Sequence, residues 1–130
     1  MKRILVVDGD TEIVGLLKEY LQTRSTADQY VVETAADGIE GLNAVSRARP
    51  ALVILDIDRP GINAMEVLRK IRSRDATIPV VMLTGSTDVS VAGQTLKDGA
   101  VCYAPKPLDF KYLDHFLALS LRGPGRSRPR

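Results

Sequence analysis

Three polar residues interrupt three apolar runs of this chain. Asp56 closes the run Ala51-Leu52-Val53-Ile54-Leu55, Thr84 follows Val80-Val81-Met82-Leu83, and Lys106 comes just after Val101-Cys102-Tyr103-Ala104. A carboxylate at a strand end can attack phosphorus and form an acyl phosphate, provided that cations and donors offset the charge gathering on the transferring oxygens. Lys106 supplies such a cation and Thr84 a hydroxyl donor. The constellation suits a phosphoryl group.

For these three groups to meet, their strands must lie parallel in one sheet, because open α/β sheets bind ligands in the crevice at the carboxyl ends of their strands. The chain alternates strands and helices as that requires. Ile4-Leu5-Val6-Val7 is a continuous apolar run, expected of a strand covered on both faces. Ile13, Leu16, Leu17, Tyr20 and Leu21 then repeat at helical spacing. Tyr30 to Ala35 reads as a second strand rich in β-branched residues. Asp37 and Glu40 have the spacing of a capping box at the start of a helix carrying Ile39, Leu42 and Val45 and ending before Pro50. Leu52 to Asp56 is the third strand, followed by a helix with Met65, Leu68 and Ile71 inward. Pro79 to Leu83 is the fourth strand. A more polar helix runs from about Asp88 to Lys97, anchored by Val89, Ala92 and Leu96, and stops at Gly99. A short fifth strand spans about Val101 to Ala104, and Asp109 caps a last helix bearing Phe110, Leu113, Phe116 and Leu117. Five β/α units of this kind predict a parallel sheet with right-handed crossovers and helices on both faces.

Length and composition agree with a single domain. The 130 residues can bury a real core, and a chain 45% hydrophobic and 26% charged is that of a globular protein rather than a disordered one. The net charge of +2 is unevenly placed. Of 18 Lys and Arg, Arg122, Arg126, Arg128 and Arg130 fall in the last nine residues, leaving 14 against 16 acids in the body. The body therefore offers no electrostatic footprint for nucleic acid. Its one cysteine, Cys102, allows no internal disulfide, and it reads as a small core residue. No signal-peptide h-region and no membrane-length apolar stretch are present, so a cytoplasmic location is expected, with no membrane contact.

The pieces Ile4-Leu5-Val6-Val7-Asp8, Ala36-Asp37-Gly38, Leu55-Asp56 followed by Pro60-Gly61, Leu83-Thr84-Gly85, Gly99-Ala100 and Tyr103-Ala104-Pro105-Lys106-Pro107 come in an order and spacing that resembles the receiver domain of two-component response regulators. The resemblance covers residues 1–121 and leaves 122–130 as a flexible basic tail or linker. It implies a flavodoxin-like (CheY-like), doubly wound five-stranded parallel sheet of strand order 2-1-3-4-5. It implies a phosphoryl group accepted on Asp56 from a histidine kinase or phosphotransfer protein. Mg²⁺ would be held by Asp8, Asp56 and the backbone carbonyl of Asp58. Thr84 and Tyr103 would form the switch pair, and a cis peptide between Lys106 and Pro107 would aim the lysine. The signal would be read on the fourth helix, fifth strand and fifth helix, by a downstream output protein or domain or by a second copy in a homodimer. Such a domain is not an enzyme beyond phosphorylating and dephosphorylating itself. Ending just past its fifth helix, it is expected to be a stand-alone relay or the receiver portion of a longer regulator.

This chain also departs from the family pattern. Two adjacent acids are usual after the first strand, and here the pair is Asp8-Gly9. Magnesium often manages with one or two carboxylates plus waters and phosphate, so the expectation is weaker binding rather than none. Asp10 is one candidate for compensation, with a helix N-cap as its alternative role. Asp58 has three readings: a ligand replacing the lost acid, a charge repelling the incoming phosphoryl group, or an ion-pair partner of Arg59. Ala64 stands where a glycine is usual, which would strain the loop if that position needs a positive φ.

Two rival classes follow from the same residues. Asp56-x-Asp58 with Thr84 and Lys106 also resembles the haloacid-dehalogenase type of phosphatase, but the chain lacks the downstream acid pair and room for a cap domain. A pseudo-receiver, an interaction module working without phosphorylation, is favoured by Gly9 and opposed by the presence of Asp56, Thr84 and Lys106. His115 has no partner at metal-ligand spacing beyond Asp114 and reads as part of a solvated helix face, as the arginine tail reads as a solvated end.

Overall fold

The computed structural model describes residues 2–7, 11–22, 30–56, 64–84, 97 and 102–105. They form β1 (Lys2–Val7), α1 (Thr11–Gln22), β2 (Tyr30–Ala35), α2 (Gly38–Arg47), β3 (Leu52–Asp56), α3 (Ala64–Arg74), β4 (Val80–Thr84) and β5 (Cys102–Pro105). The strands make one sheet in the order β2-β1-β3-β4-β5, and every neighbouring pair is parallel. The expected strand order is therefore the observed one. The stretches expected to form a fourth and a fifth helix, apart from helical Lys97, and the tail lie outside the described residues.

Strand periodicity divides the core into two layers. Ile4, Val6, Leu52, Ile54, Val81 and Leu83 point to one face and pack on Leu17 and Tyr20 of α1. Leu5, Val7, Val53, Leu55, Val80 and Met82 point to the other and meet Ala44 and Val45 of α2 and Val67, Leu68 and Ile71 of α3. All five residues of β3 are buried. Burying each large aliphatic side chain of such a strand contributes roughly 1.5–3 kcal/mol. A strand covered on both faces needs a continuous apolar run, and that explains why alternation is absent from its sequence.

The capping box at α2 is present. The Glu40 backbone N–H donates to Asp37 Oδ1 at 2.8 Å, and Glu40 Oε1 accepts from the Ala36 N–H at 3.1 Å. Of the apolar residues read on this helix, Val45 is buried and Leu42 packs partly buried against the core, whereas Ile39 is corrected: it is 75% exposed, and Gly41 and Ala44 are buried beside Val45. α2 lies so close to the sheet that small residues face it, and the larger Ile39 is turned outward. On α3, Leu68 and Ile71 are buried as expected and Val67 joins them, while Met65 is only partly buried.

β4 begins one residue later than expected. Pro79 has no N–H to donate to a ladder, although its carbonyl accepts from Val53 N at 3.0 Å. At their other ends β4 includes Thr84 and β5 extends to Pro105. Ala64 is the first helical residue of α3 and is buried, so it has an ordinary right-handed conformation and the strain considered for alanine there does not arise.

Polar contacts tie the connections together. Glu33 of β2 pairs with Arg3 of β1 and, at 2.7 Å, with Arg47 of α2. Arg49, just before β3, reaches Asp75 at 3.2 Å and the Thr77 carbonyl at 2.9 Å, joining the segments that lead into β3 and β4. Arg74 of α3 donates to the Leu42 carbonyl at 3.0 Å and to Ser46 of α2.

Candidate functional site

Asp56 is the last residue of β3 and 1% exposed, the one buried charged residue among those described. A carboxylate there is costly to desolvate unless it has partners, and Asp56 is not without an interaction of its own. Leu55, the preceding residue, pairs with Val7 on one side and Met82 on the other. The sheet is thus closed on both sides of the carboxylate's strand.

Asp56 pairs with Leu83, and the next residue of β4 is Thr84. Thr84 in turn pairs with Pro105 of β5, after which the chain continues to Lys106. The parallel register therefore brings the carboxyl ends of β3, β4 and β5 together at Asp56, Thr84 and Pro105. Tyr103 sits one row lower, paired with Met82. That row runs across the sheet as Ala35, Val7, Leu55, Met82 and Tyr103. Asp8, Gly9, Asp10, Asp58, Arg59, Lys106 and Pro107 lie outside the described residues. Asp8 follows Val7 in the chain, and Val7 is the last residue of β1.

A family model for the response regulator receiver domain matches residues 4–118. The chain belongs to that family. Among its relatives is the response regulator MprA of Mycobacterium sp. (strain KMS), 37% identical over 111 residues, which cover 85% of this chain and 46% of that protein. The chain thus spans about half the length of the curated relatives it matches. Two solved structures resemble it over nearly their whole length. A response regulator receiver domain protein from Clostridium thermocellum has a TM-score of 0.78 at 28% identity, covering 93% of this chain and 94% of that one. A CheY-like receiver domain protein from Methanospirillum hungatei JF-1 has a TM-score of 0.76 at 29% identity, covering 95% and 99%.

This receiver domain carries a hard oxygen donor at the crevice in Asp56, a donor type suited to Mg²⁺. Among the described residues no group of three His, Cys, Asp or Glu is close enough to hold a metal ion. Asp8, Asp10 and Asp58, the acids adjoining β1 and β3 in sequence, lie outside the described residues. No helix among the described residues is long and apolar enough to cross a membrane.

Spacing alone does not reveal how the glycines of α2 pack: Gly38 belongs to the motif Ala36-Asp37-Gly38, and a Cβ there would lie 2.7 Å from Val67 Cγ2. Glycine within a helix such as Gly41, where it is a poor helix former, is the signal that the sequence offers.

Proposed function

We propose that this receiver domain accepts a phosphoryl group on Asp56 and changes its interaction surface in response. The observation that carries the reading is a single carboxylate, 1% exposed, ending the central strand of the sheet beside Thr84. In the reaction, an Asp56 carboxylate oxygen attacks phosphorus in line. The nitrogen–phosphorus bond of a donor phosphohistidine breaks, and the imidazole leaves with the bonding electron pair and takes up a proton. The Lys106 ammonium offsets charge on the phosphoryl oxygens, aimed by a cis peptide to Pro107, and the Thr84 hydroxyl donates to one of them. Asp8, Asp56 and the Asp58 backbone carbonyl hold a magnesium ion, with Asp10 or the Asp58 carboxylate standing in for the acid that Gly9 lacks. When bound, that ion supplies positive charge for the transfer.

Thr84 moving toward the phosphoryl group, with Tyr103 turning inward, changes the face of the fourth helix, β5 and the fifth helix. A downstream output protein or domain, or a second copy, reads that face. The donor is a histidine kinase or phosphotransfer protein, the domain boundary falls at residue 121, and the location is cytoplasmic.

Intact mass after incubation with acetyl phosphate, with and without magnesium, tests the reading. The expected result is a magnesium-dependent phosphoryl adduct that Asp56→Asn abolishes. Gly9 favours one alternative, a pseudo-receiver that binds its partners without phosphorylation. A folded protein that shows no adduct even at high magnesium would favour that alternative instead.

A further inference from the structure

Helix α2 touches its neighbours through two glycines where no side chain fits. A Cβ at Gly41 would lie 2.9 Å from Val7 Cγ2, and a Cβ at Gly38 would lie 2.7 Å from Val67 Cγ2. Both valines are buried, and a branched side chain in a packed layer has little freedom to rotate away. These contacts run from the residue before Asp56 to the first turn of α3. Leu55, that preceding residue, pairs with Val7. Val7 bears on α2 at Gly41, α2 bears on α3 at Gly38, and Val67 lies in the first turn of α3, three residues after Ala64. Asp56 and Ala64 are the two described ends of the chain that joins β3 to α3.

We propose that Gly38 is a positioning residue for phosphoryl transfer. Through Val67 it fixes where α3 begins relative to Asp56, and so sets the span between the carboxylate and the first turn of α3. This rests on Asp56 being the phosphoacceptor. In-line transfer is sensitive to placement, and an error of about 1 Å costs up to about a hundredfold in rate. A methyl group at Gly38 pushes α3 away from α2 without touching the carboxylate.

The rate of adduct formation from acetyl phosphate, followed by intact mass over a magnesium series, tests this in the whole chain with thermal unfolding measured alongside. Gly38→Ala is expected to slow phosphorylation about tenfold. Adding Val67→Ala removes the clashing methyl group and is expected to restore the rate. It does not restore stability, because the truncated valine leaves a cavity. Rate and stability then separate, which a merely structural role would not produce. A folded Gly38→Ala that is phosphorylated at the unsubstituted rate would overturn the inference, and so would a rate that follows the melting temperature through both variants. Should Gly38→Ala not fold, Val67→Ile enlarges the same contact from the α3 side, and an unchanged rate there overturns the inference equally. If the unsubstituted chain forms no adduct on Asp56, the functional reading itself fails first and this inference falls with it.

Discussion

Asp56 and Gly9 decide what this domain can do. Asp56 ends an entirely buried strand: it pairs with Leu83 of β4, and Leu55 just before it is paired on both sides, with Val7 and Met82. Gly9 follows Asp8 directly and removes a carboxylate from the segment after β1. Magnesium affinity rises with the number of charged oxygens that can reach the ion. Gly9→Asp is therefore expected to lower the magnesium concentration for half-maximal phosphorylation by about tenfold or more. A titration of adduct yield against magnesium reads this directly. An unchanged half-point would mean that Asp10 or Asp58 already fills the place, and Asp10→Asn and Asp58→Asn would then show which.

At the scale of elements, end chemistry was more legible in the sequence than helix faces. The capping box at Asp37 and Glu40 could be read from spacing alone, because it depends on two side chains within one turn. Its hydrogen bonds are present, and Asp37→Ala is expected to cost about 1 kcal/mol in urea unfolding. The inner face of α2 was legible only in part. Apolar periodicity favours large residues and so pointed to Ile39, whereas close approach to β1 selects Gly41 and Ala44. The bounds of β4 shifted for a local reason, the missing N–H of Pro79. The arrangement of Asp56 beside Thr84 was legible only once parallel strands were assumed, since register is a property of pairs of strands and not of either sequence run.

The turn after α3 supplies a pH-dependent element. The Asp75 carboxyl is held below its ordinary value, first by the Thr77 hydroxyl, then by the Thr77 backbone N–H at 2.8 Å, with Arg49 adding to the effect. A carboxyl whose folded value is depressed stabilises the fold above its unfolded pKa, and that stability is lost as pH falls through the folded value. Thr77→Ala removes the largest cause. Its destabilisation is expected to be full at neutral pH and to shrink as pH falls below about 3.9, the ordinary Asp value. Urea midpoints of the two proteins at a series of pH values measure it. A gap that stayed constant down to acid pH would assign the effect to packing of the threonine instead.

Across the whole molecule, Asp56 belongs to a strand buried along its whole length. β1, β3 and β4 are interior strands with a pairing neighbour on each side, while β2 is at an edge and exposes Val31 at 42%. Amide hydrogens of β1 and β3 should therefore exchange only through global unfolding, and those of β2 should also exchange through smaller openings. A magnesium ion that binds the native state and not the unfolded chain raises the global unfolding free energy by RT ln(1 + [L]/Kd). Every amide of the global class should then slow by one common factor when magnesium is added, however far it lies from Asp56. Fast-exchanging amides of β2 should slow less. Native-state hydrogen exchange with and without magnesium distinguishes this from local tightening: protection confined to the end of β3 would show that the ion orders the crevice alone. If Asp56 is a ligand of that ion, as proposed, Asp56→Asn should reduce the common factor, because it withdraws a charge from the strand on which both halves of the core are built.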